Sequence, residues 1–289
     1  MTAARPWLGS VLALGMMCCV LACNTAPRDT ANTAPSASQE PRSTSPRTFE
    51  GCVETEPWYP FSYHDETHPD ERTGATVELV REASSRLGIT LHITERPWTR
   101  CMHMVKDGRY VFTLDASPNE KRLRDFVFGE PLYALDQVMY SMQGASPSKT
   151  ASNLSELRVC GLMGYNYEGL LFRHEQLDAT ARTVHVMFDK LRAGRCDVAL
   201  GYAVPYAEAA RHGRLDLTGI KGHPIPGAHR RRWGVMANRS ERGRGLVAAL
   251  DGAMREMRAD GTYLAILERF GVESRAIMEP TAGEADGLK

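Results

Sequence analysis

Arg122 is the residue whose chemistry is easiest to name. A guanidinium stays charged at any physiological pH, and its planar fork donates two parallel hydrogen bonds to a carboxylate. It lies in the stretch GRYVFTLDASPNEKRLRDFVFGEPLY (Gly108–Tyr133): a strand-like run, Tyr110–Leu114, a turn at Ser117, Pro118 and Asn119, then a charged turn ending at Arg122. Asp115 stands near the C-terminal end of that run, where open α/β sheets bind their ligands, so its carboxylate could receive an amine. Local sequence alone also fits Arg122 as one solvated charge beside Lys121, Arg124 and Asp125. His64, Asp65, Glu66 and His68 cluster among loop residues, but their spacing fits no zinc motif, and no metal or other cofactor is expected. His229, Arg230, Arg231 and Arg232 are either an anion-attracting rim or a solvated edge. No Cys, His and Asp arrangement carries a nucleophile motif, so no catalytic residue is assigned.

The rest of the chain must position these groups. With 289 residues, 43% hydrophobic, it can build one large or two modest cores. Lys+Arg and Asp+Glu both number 35, a balance that excludes a dedicated nucleic-acid binder. Arg5 precedes an apolar run, Trp7–Ala22, of signal-peptide length. Val20, Leu21, Ala22 and Cys23 resemble a lipobox, which implies a lipidated Cys23; an ordinary secretory signal is the alternative. Residues 24–48 are mostly Ala, Ser, Thr, Pro and Asn and should form a flexible tether.

A strand over Phe49–Glu54 leads into PWYPFSY (Pro57–Tyr63). A helix follows with Val77, Val80 and Leu87 in phase and Gly88 as its stop, then a strand over Ile89–Thr94. Pro97 opens a helix carrying Trp98, Cys101, Met102 and Val105 on one face, and Gly108 ends it. Asp136–Ser141 reads as extended and Gly144–Thr150 as turn-rich. Beyond them the pattern predicts strand Arg158–Leu162, a helix after Gly164, strand Thr183–Met187, a helix to Ala193, strand Asp197–Tyr202 and a helix from about Tyr206. Such alternation implies a parallel sheet. A return strand, Trp233–Ala237, precedes two helices, one with Leu246, Leu250, Ala253, Met254 and Met257, the other with Tyr263, Ile266, Leu267 and Phe270 on its apolar face.

The order of these motifs, from about Phe49 to Gly271, resembles the extracellular solute-binding proteins of the polar amino-acid uptake family. The resemblance implies an α/β, two-lobed type II periplasmic-binding fold, its ligand cleft between lobes joined by crossover strands near Asp136–Gln143 and Trp233–Asn238. Expected boundaries are 1–22 for the signal, 23–48 for the tether, 49–141 and 234–275 for the first lobe, 142–233 for the second, and 276–289 for a tail. The resemblance gives Arg122 the ligand carboxylate, with Ser117 before it, and makes Phe61 or Trp58 a flat face beneath the ligand. Arg100, in a proline, tryptophan, x, basic motif, could look into the cleft or outward. The turn Cys160–Tyr167, with Tyr165 and Asn166, should start a helix whose free N–H groups meet the carboxylate. Where the family usually places Asp for an α-ammonium, this chain has Tyr202, and where one branch has Asp it has Val111.

Four further cysteines, Cys52, Cys101, Cys160 and Cys196, allow three pairings by sequence alone; the resemblance favours Cys160 with Cys196 and Cys52 with Cys101. It implies a monomeric lipoprotein outside the cytoplasm, anchored through Cys23, that passes a small carboxylate-bearing solute to an ABC-type permease. The alternatives are a dehydratase-like enzyme on the same fold, with Asp115 or Glu168 as its acid, and a sensory lipoprotein.

Overall fold

Gly74 and Gly88 bracket the first long helix for backbone reasons. At Gly74 φ is 119° and a Cβ would lie 2.4 Å from the Phe61 carbonyl, which no other residue tolerates. Gly88, at φ 61°, takes the left-handed position that ends the helix and turns its N–H back to Ser84 and Ser85. The computed structural model of the chain describes residues 47–145, 156–170, 172–225 and 228–272. The expected signal, Cys23, most of the tether, most of Gly144–Thr150 and the tail lie outside the described residues.

In chain order the first lobe contains β1 (Arg47–Glu54), β2 (Tyr63–His64), β3 (Arg72–Thr73), α1 (Ala75–Leu87), β4 (Ile89–Arg96), α2 (Trp98–Lys106), β5 (Phe112–Ala116), α3 (Glu120–Asp125), β6 (Phe126–Phe128) and β7 (Tyr133–Leu135). The second contains β8 (Gln137–Met142), β9 (Val159–Leu162), β10 (Leu177–Ala181), α4 (Val184–Arg192), β11 (Val198–Tyr202), α5 (Ala203–Arg211) and β12 (Ile220–Pro224). The chain then returns through β13 (Arg231–Asn238), α6 (Glu241–Ala259) and α7 (Thr262–Arg269). One sheet runs β4-β1-β5-β13-β6, with β7 on β13, and the other runs β10-β9-β11-β8-β12. β1 is parallel to β4 and β5, and β9 to β10 and β11, whereas β13 and β8 run antiparallel to their neighbours.

Both crossings sit earlier than the extended runs suggest. Gln137–Met142 belongs wholly to the second sheet and Trp233–Asn238 to the first. The two connections run side by side, Arg231–Trp233 pairing with Tyr133–Leu135. A crossover strand and a sheet strand share one local pattern, so only pairing separates them.

Other expectations also change. Thr183–Met187 is not a strand: Thr183 caps α4, accepting a hydrogen bond from the Val186 N–H at 3.2 Å, and Met187, Phe188 and Leu191 bury one helical face. The strand before it is Leu177–Ala181. β1 begins at Arg47, inside the expected tether, because Arg47 and Thr48 pair with Ile89 and Thr90. The charged turn before Arg122 is the first part of α3, capped by Asn119, whose side chain accepts from the Arg122 N–H. Disulfides join Cys52 to Cys101, between β1 and α2, and Cys160 to Cys196, beside β9 and β11. Among the described residues no helix is long and apolar enough to cross a membrane.

Candidate functional site

β1 and β5 are neighbours in parallel register, Gly51 opposite Phe112 and Cys52 opposite Thr113, so their C-terminal ends bring Glu54 and Asp115 to the same level. There a small cavity, partly open to solvent, lies between the two lobes. The first lobe lines it with Val53, Glu54, Glu56, Trp58, Ser62, Arg72, Trp98, Leu114, Asp115, Ser117 and Arg122; the second lobe adds Tyr165 and Asn166, and the return strand adds Trp233.

Arg122 is 6% exposed and bridges the lobes. Its Nη1 donates to the Ser117 carbonyl at 2.6 Å and to Ser117 Oγ at 3.3 Å, and its Nη2 donates to the Gly164 carbonyl at 2.7 Å. The guanidinium carbon lies 5.3 Å from the Trp98 ring centre. Burial lowers its pKa to about 10, which leaves it charged at neutral pH. Its partners are neutral carbonyls, and a carboxylate would be the stronger acceptor for the same donors.

Asp115 is the one non-glycine with positive φ among the described residues, at 52°. Strain of this kind survives only where its surroundings enforce it, and it gathers at functional positions. Asp115 Oδ1 accepts from Thr76 Oγ1 and from the Tyr133 hydroxyl, each at 2.7 Å, and Tyr133 is itself held by Trp58 Nε1 at 2.9 Å. Oδ2 is buried without a hydrogen-bond partner. Burial pushes this carboxyl up to about 6, against the hydrogen bonds from Thr76 and Tyr133 and the charge of Arg72. Glu54, at the end of β1, is pushed up to about 7, again chiefly by burial.

A carboxyl raised in the folded state makes folding less favourable once it must ionise. The stability lost at Asp115 therefore sets in as pH rises above the unfolded value, about 4, and is complete above the folded value, about 6. Asn tolerates the left-handed backbone and keeps the acceptor for Thr76 and Tyr133. Asp115→Asn is expected to raise the melting midpoint at pH 7.5 by a few degrees, about 1–3 kcal/mol, with the gain shrinking towards pH 4.5. Thermal unfolding at both pH values checks this, and a variant melting below the parent at pH 7.5 contradicts it.

The remaining expected site residues divide. Ser117, Trp58, Tyr165 and Asn166 line the cavity, Asn166 Nδ2 reaching Ser117 Oγ at 3.3 Å and the Pro118 carbonyl at 2.8 Å. Phe61 does not: it is fully buried and stacks on Tyr133 at 3.7 Å between ring centres, so it supports the site from behind. Tyr202 stands edge-on behind Trp58 and Trp233, its hydroxyl accepting from Gln137 Nε2 at 3.1 Å. Arg100 is on the exposed face of α2, away from the cavity. Glu168 is exposed and accepts from the Glu120 N–H, which removes it as a cleft acid.

No helix follows Gly164. Asn166 Oδ1 accepts from the Glu168 N–H at 3.1 Å and closes a local turn, a conformation that competes with helix. The second lobe thus offers Arg122 a carbonyl where a helix N-terminus was expected. Glu54, Trp98 and Trp233 were not expected at the site; the one local sign for Glu54 is its place at a strand's C-terminal end.

Residues 52–273 match the family model of the bacterial extracellular solute-binding proteins, family 3. A curated relative, the probable ABC transporter extracellular-binding protein YckB of Bacillus subtilis (strain 168), is 31% identical over 110 residues, 36% of this chain. The match spans 37% of that relative's length. Among solved structures, the arginine-, lysine-, histidine-binding protein ArtJ from Geobacillus stearothermophilus superposes with a TM-score of 0.65 at 16% identity, covering 79% of this chain and 96% of that one. A histidine kinase sensor domain with similarity to periplasmic binding proteins superposes with a TM-score of 0.63 at 21% identity, covering 81% and 99%. At such identities the structural likenesses speak for the fold: the two-lobed α/β architecture of type II periplasmic binding proteins.

Proposed function

We propose that this chain, which belongs to the bacterial extracellular solute-binding proteins of family 3, captures a small carboxylate-bearing solute between its lobes for an ABC-type uptake system. The observation that carries the reading is Arg122, buried at the cavity wall with no acidic side chain bonded to it among the described residues. Buried charges are normally paired. An unpaired guanidinium at a cleft is suited to an anion brought from outside, and the fork selects a carboxylate. Ser117 and Asn166 complete the polar wall, and Trp58 and Tyr165 supply flat apolar surface. Membership of an extracellular family fits work outside the cytoplasm, with Cys23 as the lipid anchor.

A thermal-shift screen of the protein against amino acids, small peptides, di- and tricarboxylates, polyamines and aromatic acids tests the reading. A ligand at about 100 times its Kd adds ~2.7 kcal/mol, a rise of roughly 5–10 °C for a domain of this size. Hits are expected among carboxylates. A screen in which only solutes without a carboxylate raise the midpoint overturns it.

A further inference from the structure

Glu54 has no part in the carboxylate reading, yet it lines the same cavity as Asp115 from the end of the neighbouring strand. We propose that Glu54 and Asp115 together form a cation subsite, and that the solute of this cleft is net cationic, carrying ammonium or guanidinium groups in excess of its carboxylate. The inference rests on the assignment of Arg122 to that carboxylate.

The argument is first one of charge. The cavity is lined by the carboxyls of Glu54, Glu56 and Asp115 and by the guanidiniums of Arg72 and Arg122. Arg72 is answered elsewhere: its Nη1 lies 2.9 Å from Glu95, Nε donates to Ser62 Oγ at 2.8 Å, and Nη2 reaches the Ser62 and Glu56 carbonyls. With Arg122 given to the solute carboxylate, the three carboxyls of the lining face one remaining protein cation, Arg72, whose charge reaches Asp115 but which is also engaged by Glu95. A solute with one ammonium and one carboxylate leaves that excess uncorrected, whereas a second cationic nitrogen reduces it.

Geometry points the same way. Asp115 is 8% exposed, its Oδ2 has no partner, and the strained backbone at φ 52° holds it at the cavity wall. Such an oxygen lacks only a donor, and an incoming N–H supplies one. Around it, Trp58 and Trp233 lie 4.9 Å apart at 41°, and Tyr165 meets Trp58 edge-on at 6.4 Å. All three rings line the cavity, and an aromatic face within about 6 Å of a cation attracts it. The second lobe adds only Tyr165 and Asn166, neither of them charged, so all charge recognition lies on the first lobe. Burial raises both carboxyls toward neutrality, and a bound cation would draw them back down.

Calorimetric titration of the full chain with arginine, citrulline, lysine, glutamine and putrescine tests this. Arginine and citrulline have nearly the same shape and differ in side-chain charge, so their ratio in the unaltered protein needs no variant. Arginine or lysine is expected to bind at least tenfold more tightly than citrulline and glutamine. Glu54→Gln should collapse that ratio while leaving citrulline unchanged. Citrulline or glutamine binding as tightly as arginine, or a ratio untouched by Glu54→Gln, overturns the cation subsite; if Arg122→Lys then weakens every amino acid, the carboxylate reading survives alone. Binding of putrescine alone removes the carboxylate reading and with it the inference that rests on it. Silence across the whole panel removes both.

Discussion

Arg122→Ala is expected to weaken binding of any carboxylate solute by about thirtyfold or more, because removing one member of a buried, hydrogen-bonded charge pair costs roughly 2–5 kcal/mol. The same change should move the melting midpoint little. It relieves the burial of a guanidinium whose pKa is already lowered to about 10 by desolvation, and it orphans the Ser117 and Gly164 carbonyls it now satisfies. Those effects oppose each other, whereas nothing offsets the lost carboxylate. Isothermal titration with a solute from the thermal-shift screen, beside a melting curve of each protein, separates the two. Unchanged affinity would take Arg122 out of the binding role. A fall in affinity matched by collapse of the melting curve would make it structural.

Phe61→Ala should act the other way round. Phe61 is fully buried, its ring lies 3.7 Å from that of Tyr133 at an interplanar angle of 6°, and its carbonyl accepts from the Thr76 N–H at 3.0 Å. Truncating a buried Phe leaves a cavity and costs about 3–5 kcal/mol, a fall in the midpoint of roughly 6–20 °C for a domain of this size. The loss should reach the site indirectly, since the Tyr133 that Phe61 supports is the tyrosine that holds Asp115 Oδ1. Urea unfolding measures the stability change. A loss below about 1 kcal/mol, together with abolished binding, would return Phe61 to the wall that touches the solute. The comparison is Trp58, which lines the cavity directly and should alter affinity more for a given loss of stability.

Local sequence by itself determined much of this protein. The spacing of Val77 and Val80 before Gly88, and of Leu246, Leu250, Met254 and Met257, writes amphipathic helices, and those residues are buried on α1 and α6. The β/α alternation forces parallel strands, and parallel strands put ligand-facing residues at their C-terminal ends, where Asp115 stands. A fixed charge such as Arg122 and a polar turn such as Ser117 to Asn119 are legible for the same reason: their chemistry depends on residue type more than on neighbours. Tertiary structure decided what those ends face. Phe61 and Trp58 share one aromatic loop, yet only packing turned Trp58 to the cavity and laid Phe61 on Tyr133. Glu54 became a site residue because β5 lies beside β1, and Trp233 because the return strand brings a distant segment against Trp58. Thr183–Met187 has strand propensity but became a helix once a cap and a buried face could form together. Propensity and residue type are properties of a few neighbours along the chain, whereas burial, and with it the free oxygen of Asp115, depends on residues that meet only when the sheets assemble.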